Sequence, residues 1–344
     1  MSYKNLIKQI SMKQKIFFRF LFSILIILIL TGLTLHHKNE VRQKRIQKQR
    51  EATAAAKRDL TQIRKENQID SSLKPWYSYH GIAHALGGVD EKKYLNSVDG
   101  FYEAYRKGYH IFEMDMLLTT DRVVIGKHKW GSNLADPLTK KGKPVSSQRF
   151  LNTKIYGKYK PTTLSDVLKL MEKYPDFYLM TDSKDDKPGK VQQDFTTIVD
   201  TVKKAGKESL LDRFIVQVYN EEMYQTIEKI YPFKHVLYTT YKQPDASFYK
   251  MIQFCKANHI EGVTNPQDDI NDYRMDLLKK AGLVSYTHSV NDSYQAKEYM
   301  ALGVYGIYSD FLIPAKIDYA WVRANFSPFA KEFIQYTVPA YRNL

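Results

Sequence analysis

The chain has 344 residues, 43% of them hydrophobic, and a formal net charge of +15, which is enough for one large domain or two small ones. Residues 1–75 carry 16 Lys and Arg against 5 Asp and Glu and the remainder 36 against 32, so the main body has no basic nucleic-acid groove and no nucleic-acid partner is expected. The single cysteine, Cys255, excludes an intrachain disulfide framework; its setting "FYKMIQFCKANHI" reads as a buried helix.

A basic segment, 1–15, leads into "IFFRFLFSILIILILTGLTL" at 16–35. Twenty residues with one charge, Arg19, are long enough to span a bilayer, and Arg19 can snorkel to the near interface. No small-x-small cleavage site follows, so the segment predicts an uncleaved single-pass anchor in the cell membrane. The flanking basic residues nearly balance; the short, wholly basic N-terminal flank favours an extracellular catalytic domain. Residues 36–75 read as a basic helical stalk, since 39–68 contain neither Pro nor Gly. Such a stalk is a solvated spacer, and its polybasic character also suits anionic headgroups or an anionic wall polymer. "DSSLKP" breaks the helix, and the folded domain is expected over 76–344.

Beyond Trp76, short β-branched or aromatic runs alternate with helical patterns. The expected strands are 81–85, 111–115, 177–183, 214–219, 235–240, 261–265, 283–288 and 304–309. Helices fit between them at 97–107, 164–174, 190–205, 221–230, 246–258, 272–281 and 293–301. This is an α/β chain, and the pattern predicts a (β/α)8 TIM barrel. "VVIGKH" (123–128) lies too close to the preceding strand for a parallel crossover. It predicts a β-hairpin excursion after strand two whose return arm brings His128 to the barrel mouth.

The C-terminal ends of barrel strands form the active face. Strand one ends at His84, strand two at Glu113 and Asp115, and strand three at Asp182 with Lys184 beyond. Side chains two apart on a strand share a face, so Glu113 and Asp115 stand together. Their mutual repulsion and burial call for a divalent cation. Three carboxylates form a hard oxygen cage that suits Mg²⁺ or Ca²⁺ better than Zn²⁺. His84 and His128 suit acid–base work, and Lys184 suits an anionic oxygen. Any one of these residues alone reads as a solvated edge or a structural hydrogen bond; their concentration on one rim argues for a site.

Residues 82–312 resemble the glycerophosphodiester phosphodiesterase family, within the group that includes phosphatidylinositol-specific phospholipase C. "AHALGG", "YLNSVDGFYEAYRKG", "FEMDMLLTTDRVVIGKHKW", "YLMTDSK", "HSVND" and "GVYGIYSD" are similar to its motifs in order and spacing. The resemblance implies metal-dependent cleavage of a phosphodiester. Glu113, Asp115 and Asp182 would bind the metal, and His84 and His128 would be the catalytic pair. Lys184 and Asn96 would serve substrate or phosphate; apart from the resemblance, Trp130 is expected to bind substrate by stacking on glycerol or sugar faces. The sequence departs from the family at Ala85, where Arg is usual, at Lys129, where Asp is usual, and at Leu95, where Glu is usual.

The expected substrate is a glycerophosphodiester, as a lipid headgroup or a teichoic-acid-like polymer. A barrel that only binds anionic lipid or polymer, and a phospholipase-C-type enzyme forming a cyclic phosphate, are the alternatives. Tyr219, Tyr241 and Tyr286 are expected near the mouth, where they stack on glycerol or sugar or simply pack. The long loop 129–162 is expected to act as a substrate-facing lid.

Overall fold

The computed structural model describes residues 60–131, 142–241 and 243–326, together with Glu40. The basic segment, the expected anchor at 16–35 and most of the expected stalk lie outside the described residues. Among the described residues no helix is long and apolar enough to cross a membrane. The longest, Pro188–Lys204, has 17 residues and is amphipathic, with a buried stripe of Val191, Phe195, Ile198, Val199 and Val202. This finding corrects the expected single-pass membrane location.

Eight parallel strands close into a barrel. They are β1 (Gly81–Ala83), β2 (Ile111–Leu118), β4 (Tyr178–Ser183), β5 (Phe214–Val218), β6 (His235–Thr239), β7 (Gly262–Pro266), β8 (Val284–His288) and β9 (Gly306–Ser309). Each pairs with the next, and β1 pairs with both β9 and β2, through Ala83↔Ser309 and Ala83↔Phe112. The short β3 (Val124–Gly126) runs antiparallel to β2, with Met116↔Gly126 and Leu118↔Val124 in register, so the expected hairpin is present.

Strand parity sorts the side chains. Ile111, Tyr178, Met180, Ile215, Leu237, Tyr286 and Tyr308 fill the barrel interior with Trp76 and Ile82. Phe112, Met114, Leu179, Phe214, Val216 and Val263 face outward into the helix layer. Glu113 and Asp115 share the parity of Ile111, and Asp182 that of Tyr178 and Met180, so the carboxylates sit above an apolar interior. Trp76 lies in that interior, fully buried, stacks on Tyr286 at 6.0 Å and donates from Nε1 to Glu261 Oε2 at 3.1 Å. Gly262 makes room for it, since a Cβ there would meet Trp76 at 2.7 Å.

Helices between the strands begin where the sequence supplies side-chain caps. Ser97 caps Val98–Lys107, Thr163 and Asp166 form a capping box for Leu164–Lys173, and Asn271 caps Asp272–Ala281. Pro188 and Pro314 open two other helices, and the last of these, Pro314–Asn325, was not expected from the sequence.

The compact unit that holds the barrel begins at Leu60. The helix Leu60–Glu66 is docked through Arg64, which is fully buried. Its guanidinium pairs with Asp176 at 3.0 Å, donates to the Tyr105 carbonyl at 2.7 Å and lies 4.2 Å over the Tyr105 ring.

Candidate active site

His84 ends β1 in a one-turn helix, His84–Leu86. Its Nδ1 is 3.0 Å from Asp310 Oδ1, at the end of neighbouring β9. Asn291 holds that carboxylate: its Nδ2 donates to Asp310 Oδ2 at 2.8 Å and its Oδ1 accepts from the Asp310 amide at 2.7 Å. Burial alone would lower the His84 pKa, but the Asp310 bond and the Glu113 carboxylate raise it to about 9. The Asp310 bond therefore favours the protonated imidazole.

Glu113 and Asp115 are each 1% exposed. Glu113 Oε2 accepts from the Ala85 amide at 2.7 Å. Asp115 is gripped by Asn96, which donates from Nδ2 to Oδ2 at 2.7 Å and accepts from the Asp115 amide at 3.0 Å. Lys184 Nζ pairs with Asp115 at 2.5 Å and also with Asp182, which accepts in addition from the Tyr219 hydroxyl. Burial and the adjacent Asp115 push Glu113 up to about 8. Asp115 is held below its usual range, because Lys184, His84 and His128 overcome its burial.

Glu113, Asp115 and Asp182 each offer an oxygen within 4.8 Å of the others. Glu113 Oε1 is buried with no hydrogen-bond partner. An all-oxygen set with a partnerless buried carboxylate oxygen fits a hard divalent cation.

The hairpin delivers His128. Its return arm is tied down by the Lys127 amide, which donates to the Asp115 carbonyl at 3.0 Å. Gly126 permits the close approach: a Cβ there would meet Asn96 Cβ at 2.9 Å. His128 is half-buried, and its pKa is lowered by burial against the pull of Asp115. Tyr94 stands between the two imidazoles, 4.7 Å from the His84 ring and 5.1 Å from the His128 ring, centre to centre. The structure thus brings together one imidazole whose surroundings favour the proton and one whose burial disfavours it.

His84, Tyr94, Glu113, His128, Asp182 and Lys184 line a cavity of about 200 Å³ with Gln217, Tyr219, Tyr241, His288, Ser289 and Tyr308, while Asp115 and Asp310 act from outside its lining through Lys184 and His84. Three expected residues lie elsewhere. Asn96 is fully buried and acts on Asp115 rather than lining the cavity. Trp130 packs with Ile125 and Phe150, and Tyr286 is in the barrel interior, donating to the Tyr79 carbonyl at 2.7 Å. Of the loop 129–162, residues 132–141 lie outside the described residues, and none of the described ones lines the cavity.

Asp310, Tyr94, Gln217 and His288 were not singled out from the sequence. Parity could have found three of them, because Gln217 follows Ile215, His288 follows Tyr286 and Asp310 follows Tyr308 on the inward face. Tyr94 follows from loop geometry alone. Ala85 is fully buried and adopts a left-handed backbone, with φ 47°. Leu95 packs with Ile155 and Tyr159, so an apolar contact stands where the family usually has a carboxylate.

The rim of this β/α barrel thus carries two histidines beside three carboxylates that could hold a metal ion. Solved structures share the fold. A glycerophosphodiester phosphodiesterase from Parabacteroides distasonis is 20% identical, covering 72% of this chain and 98% of its own, with a TM-score of 0.56. A putative glycerophosphoryl diester phosphodiesterase from Silicibacter pomeroyi is 15% identical, covering 72% and 95%, with a TM-score of 0.57. An Oleispira antarctica phosphodiesterase, solved in complex with the product sn-glycerol-3-phosphate, is 17% identical, covering 70% and 96%, with a TM-score of 0.56. No curated protein matches the chain. The model of the glycerophosphoryl diester phosphodiesterase family matches residues 90–313, and the chain belongs to that family. It is a phosphoric diester hydrolase of the glycerophosphodiester phosphodiesterase type.

Proposed function

We propose that the chain cleaves a glycerophosphodiester-type bond with the aid of a divalent cation, Mg²⁺ or Ca²⁺, held by Glu113, Asp115 and Asp182. The observation that carries this reading is the partnerless, buried Glu113 Oε1 beside two carboxylates and two histidines of opposite proton affinity. A bound cation would neutralise phosphate charge and polarise the P–O bonds. Lys184 adds a positive charge for a phosphate oxygen.

His128, neutral, takes the proton of the attacking hydroxyl as the new P–O bond forms. His84, protonated and aimed by Asp310, gives its proton to the departing alkoxide, which is too basic to leave unassisted. One proton is taken and one given, so the pair ends in the opposite state and resets by exchange with water. The same chemistry serves a free headgroup diester and a repeating unit of an anionic polymer.

The test is release of alcohol from a glycerophosphodiester by the full chain, in Mg²⁺, in Ca²⁺ and in chelator, alongside His128→Ala. Release that needs a divalent cation and is lost in the variant is the expected result. Equal release with and without chelator would sink the cation, and undiminished release by His128→Ala would sink the assigned pair.

A further inference from the structure

The loop between β1 and the helix Val98–Lys107 carries a tyrosine that the chemistry above does not use. Tyr94 meets both imidazoles edge to face, with ring centres 4.7 Å from His84 and 5.1 Å from His128 and interplanar angles of 79° and 60°. It lines the cavity beside Glu113, Asp182 and Lys184 and is 37% exposed.

The loop is built to hold this residue. Tyr94 has a left-handed backbone, with φ 55°, which is unfavourable for a bulky side chain. Its neighbours fix it there. Leu95 is fully buried against Ile155 and Tyr159. The Asn96 amide donates to the Ala85 carbonyl at 2.9 Å, and the Asn96 side chain grips Asp115 through two bonds. On the other side Val89 and Lys92 exchange backbone hydrogen bonds at 2.8 and 3.3 Å and close a turn. Strain that the surroundings impose in this way gathers at functional positions.

The ring contacts leave the phenol oxygen uncommitted. The other phenols of the cavity are engaged: Tyr219 with Asp182, Tyr241 with His288, and Tyr308 with Thr264 and Gln217. The Tyr94 hydroxyl has no hydrogen-bond partner among the described residues. Burial and the carboxylates of Asp310, Asp115 and Glu113 raise its pKa against the pull of Lys184, so the oxygen keeps its proton and donates.

An in-line displacement places the attacking and leaving oxygens at opposite ends of phosphorus, with the non-bridging oxygens around its waist. His128 and His84 serve the two ends. A donor that touches both imidazoles faces the waist. A non-bridging oxygen is anionic and only accepts, which suits a neutral phenol with a proton to give. A donor with no protein partner to release needs no reorganisation when that oxygen arrives.

We propose that Tyr94 is a further catalytic residue, whose hydroxyl donates a hydrogen bond to a non-bridging oxygen of the phosphodiester. The inference rests on the phosphodiesterase reading and on its assignment of the two histidines.

The test compares the full wild-type chain with Tyr94→Phe, which keeps both ring contacts and loses only the hydroxyl. On a glycerophosphodiester with divalent cation the variant should lose about 10–100-fold in kcat/KM, the worth of a hydrogen bond to a charged acceptor. Both limbs of its pH profile should stay within about half a unit of the wild type. Calorimetric divalent affinity should stay within about twofold, since the turn still carries Asn96 to Asp115. With sulfur, a weak acceptor, in place of either non-bridging oxygen, the loss should shrink to within about twofold for one of the two diastereomers. Undiminished turnover by Tyr94→Phe would overturn the proposal. So would a shifted limb or weakened divalent binding, because the ring would then act through the histidines or the turn. A loss unchanged in both sulfur esters would overturn it as well. A wild-type chain that releases no alcohol from the diester would sink the phosphodiesterase reading, and this inference with it.

Discussion

At the scale of single residues, the site depends on compensating charge that should not be buried. Glu113 and Asp115 alternate with Ile111 along one inward face, and each survives there through a dedicated donor. Replacing Glu113 by Gln keeps the Ala85 bond but removes an anionic oxygen. Divalent affinity, measured by titration calorimetry, should fall at least about tenfold, and unchanged affinity would remove Glu113 from the cation site. Asn96 acts one step further out, through Asp115. Asn96→Ala should weaken divalent binding by about 10–100-fold, as loss of an outer partner does, and an unaltered titration would show that Asp115 is oriented without it. His128 lies at the half-buried end of the hairpin. His128→Ala should cost about 10²–10⁴ in turnover, with circular dichroism unchanged; a smaller loss would assign the proton transfer elsewhere.

At the scale of elements, two features have functions that their length does not suggest. The hairpin of β2 and β3 carries His128 to a site that the other barrel strands do not provide. Its return arm comes close because residue 126 is glycine. The helix Leu60–Glu66 lies ahead of the barrel and yet belongs to its packing, since Arg64 is fully buried and Asp176 is 4% exposed. The Tyr105 hydroxyl also donates to Asp176 at 2.7 Å. Removing one partner of such a pair leaves the other charge buried without compensation. Arg64→Ala should therefore cost about 3–5 kcal/mol in urea unfolding, and a cost under about 1 kcal/mol would show that the helix is only loosely applied.

At the scale of the whole molecule, the site couples stability to pH. His84 is raised from 6.5 to about 9 and Glu113 from 4.5 to about 8. Between pH 7 and 9 the native chain therefore holds protons that the unfolded chain has already released, and stability falls as pH rises. The buried Cys255 thiol, pushed up to about 12, adds to this in the same direction above pH 9. Below about 6.5 the opposite sign enters, because His128 and His288 are held neutral. In chelator the melting temperature should fall from pH 7 to pH 9, and saturating Ca²⁺ should flatten that slope by holding Glu113 ionised. A melting temperature that rises with pH in chelator would contradict the raised values of both groups.

Much of this fold and site could be read from the residues in order. Strands show as short β-branched runs because a barrel strand is covered on both faces, and helices show as amphipathic stripes behind their caps. Two of those helices, Asp272–Ala281 and Ser293–Ala301, lie within their expected bounds to the residue. Glu113, Asp115, Asp182, His84 and His128 stand out because a carboxylate or imidazole at a strand end breaks an apolar pattern. Tertiary structure alone decided what these residues meet. Asp310 reaches His84 across 226 positions, Arg64 reaches Asp176 across 112, and Tyr241 meets His288 across 47. Periodicity records which face a side chain occupies; only closure of the barrel determines which strand end stands opposite. That closure made a partner of Asp310, left Trp130 and Tyr286 as packing, and set Tyr241 and His288 into one wall.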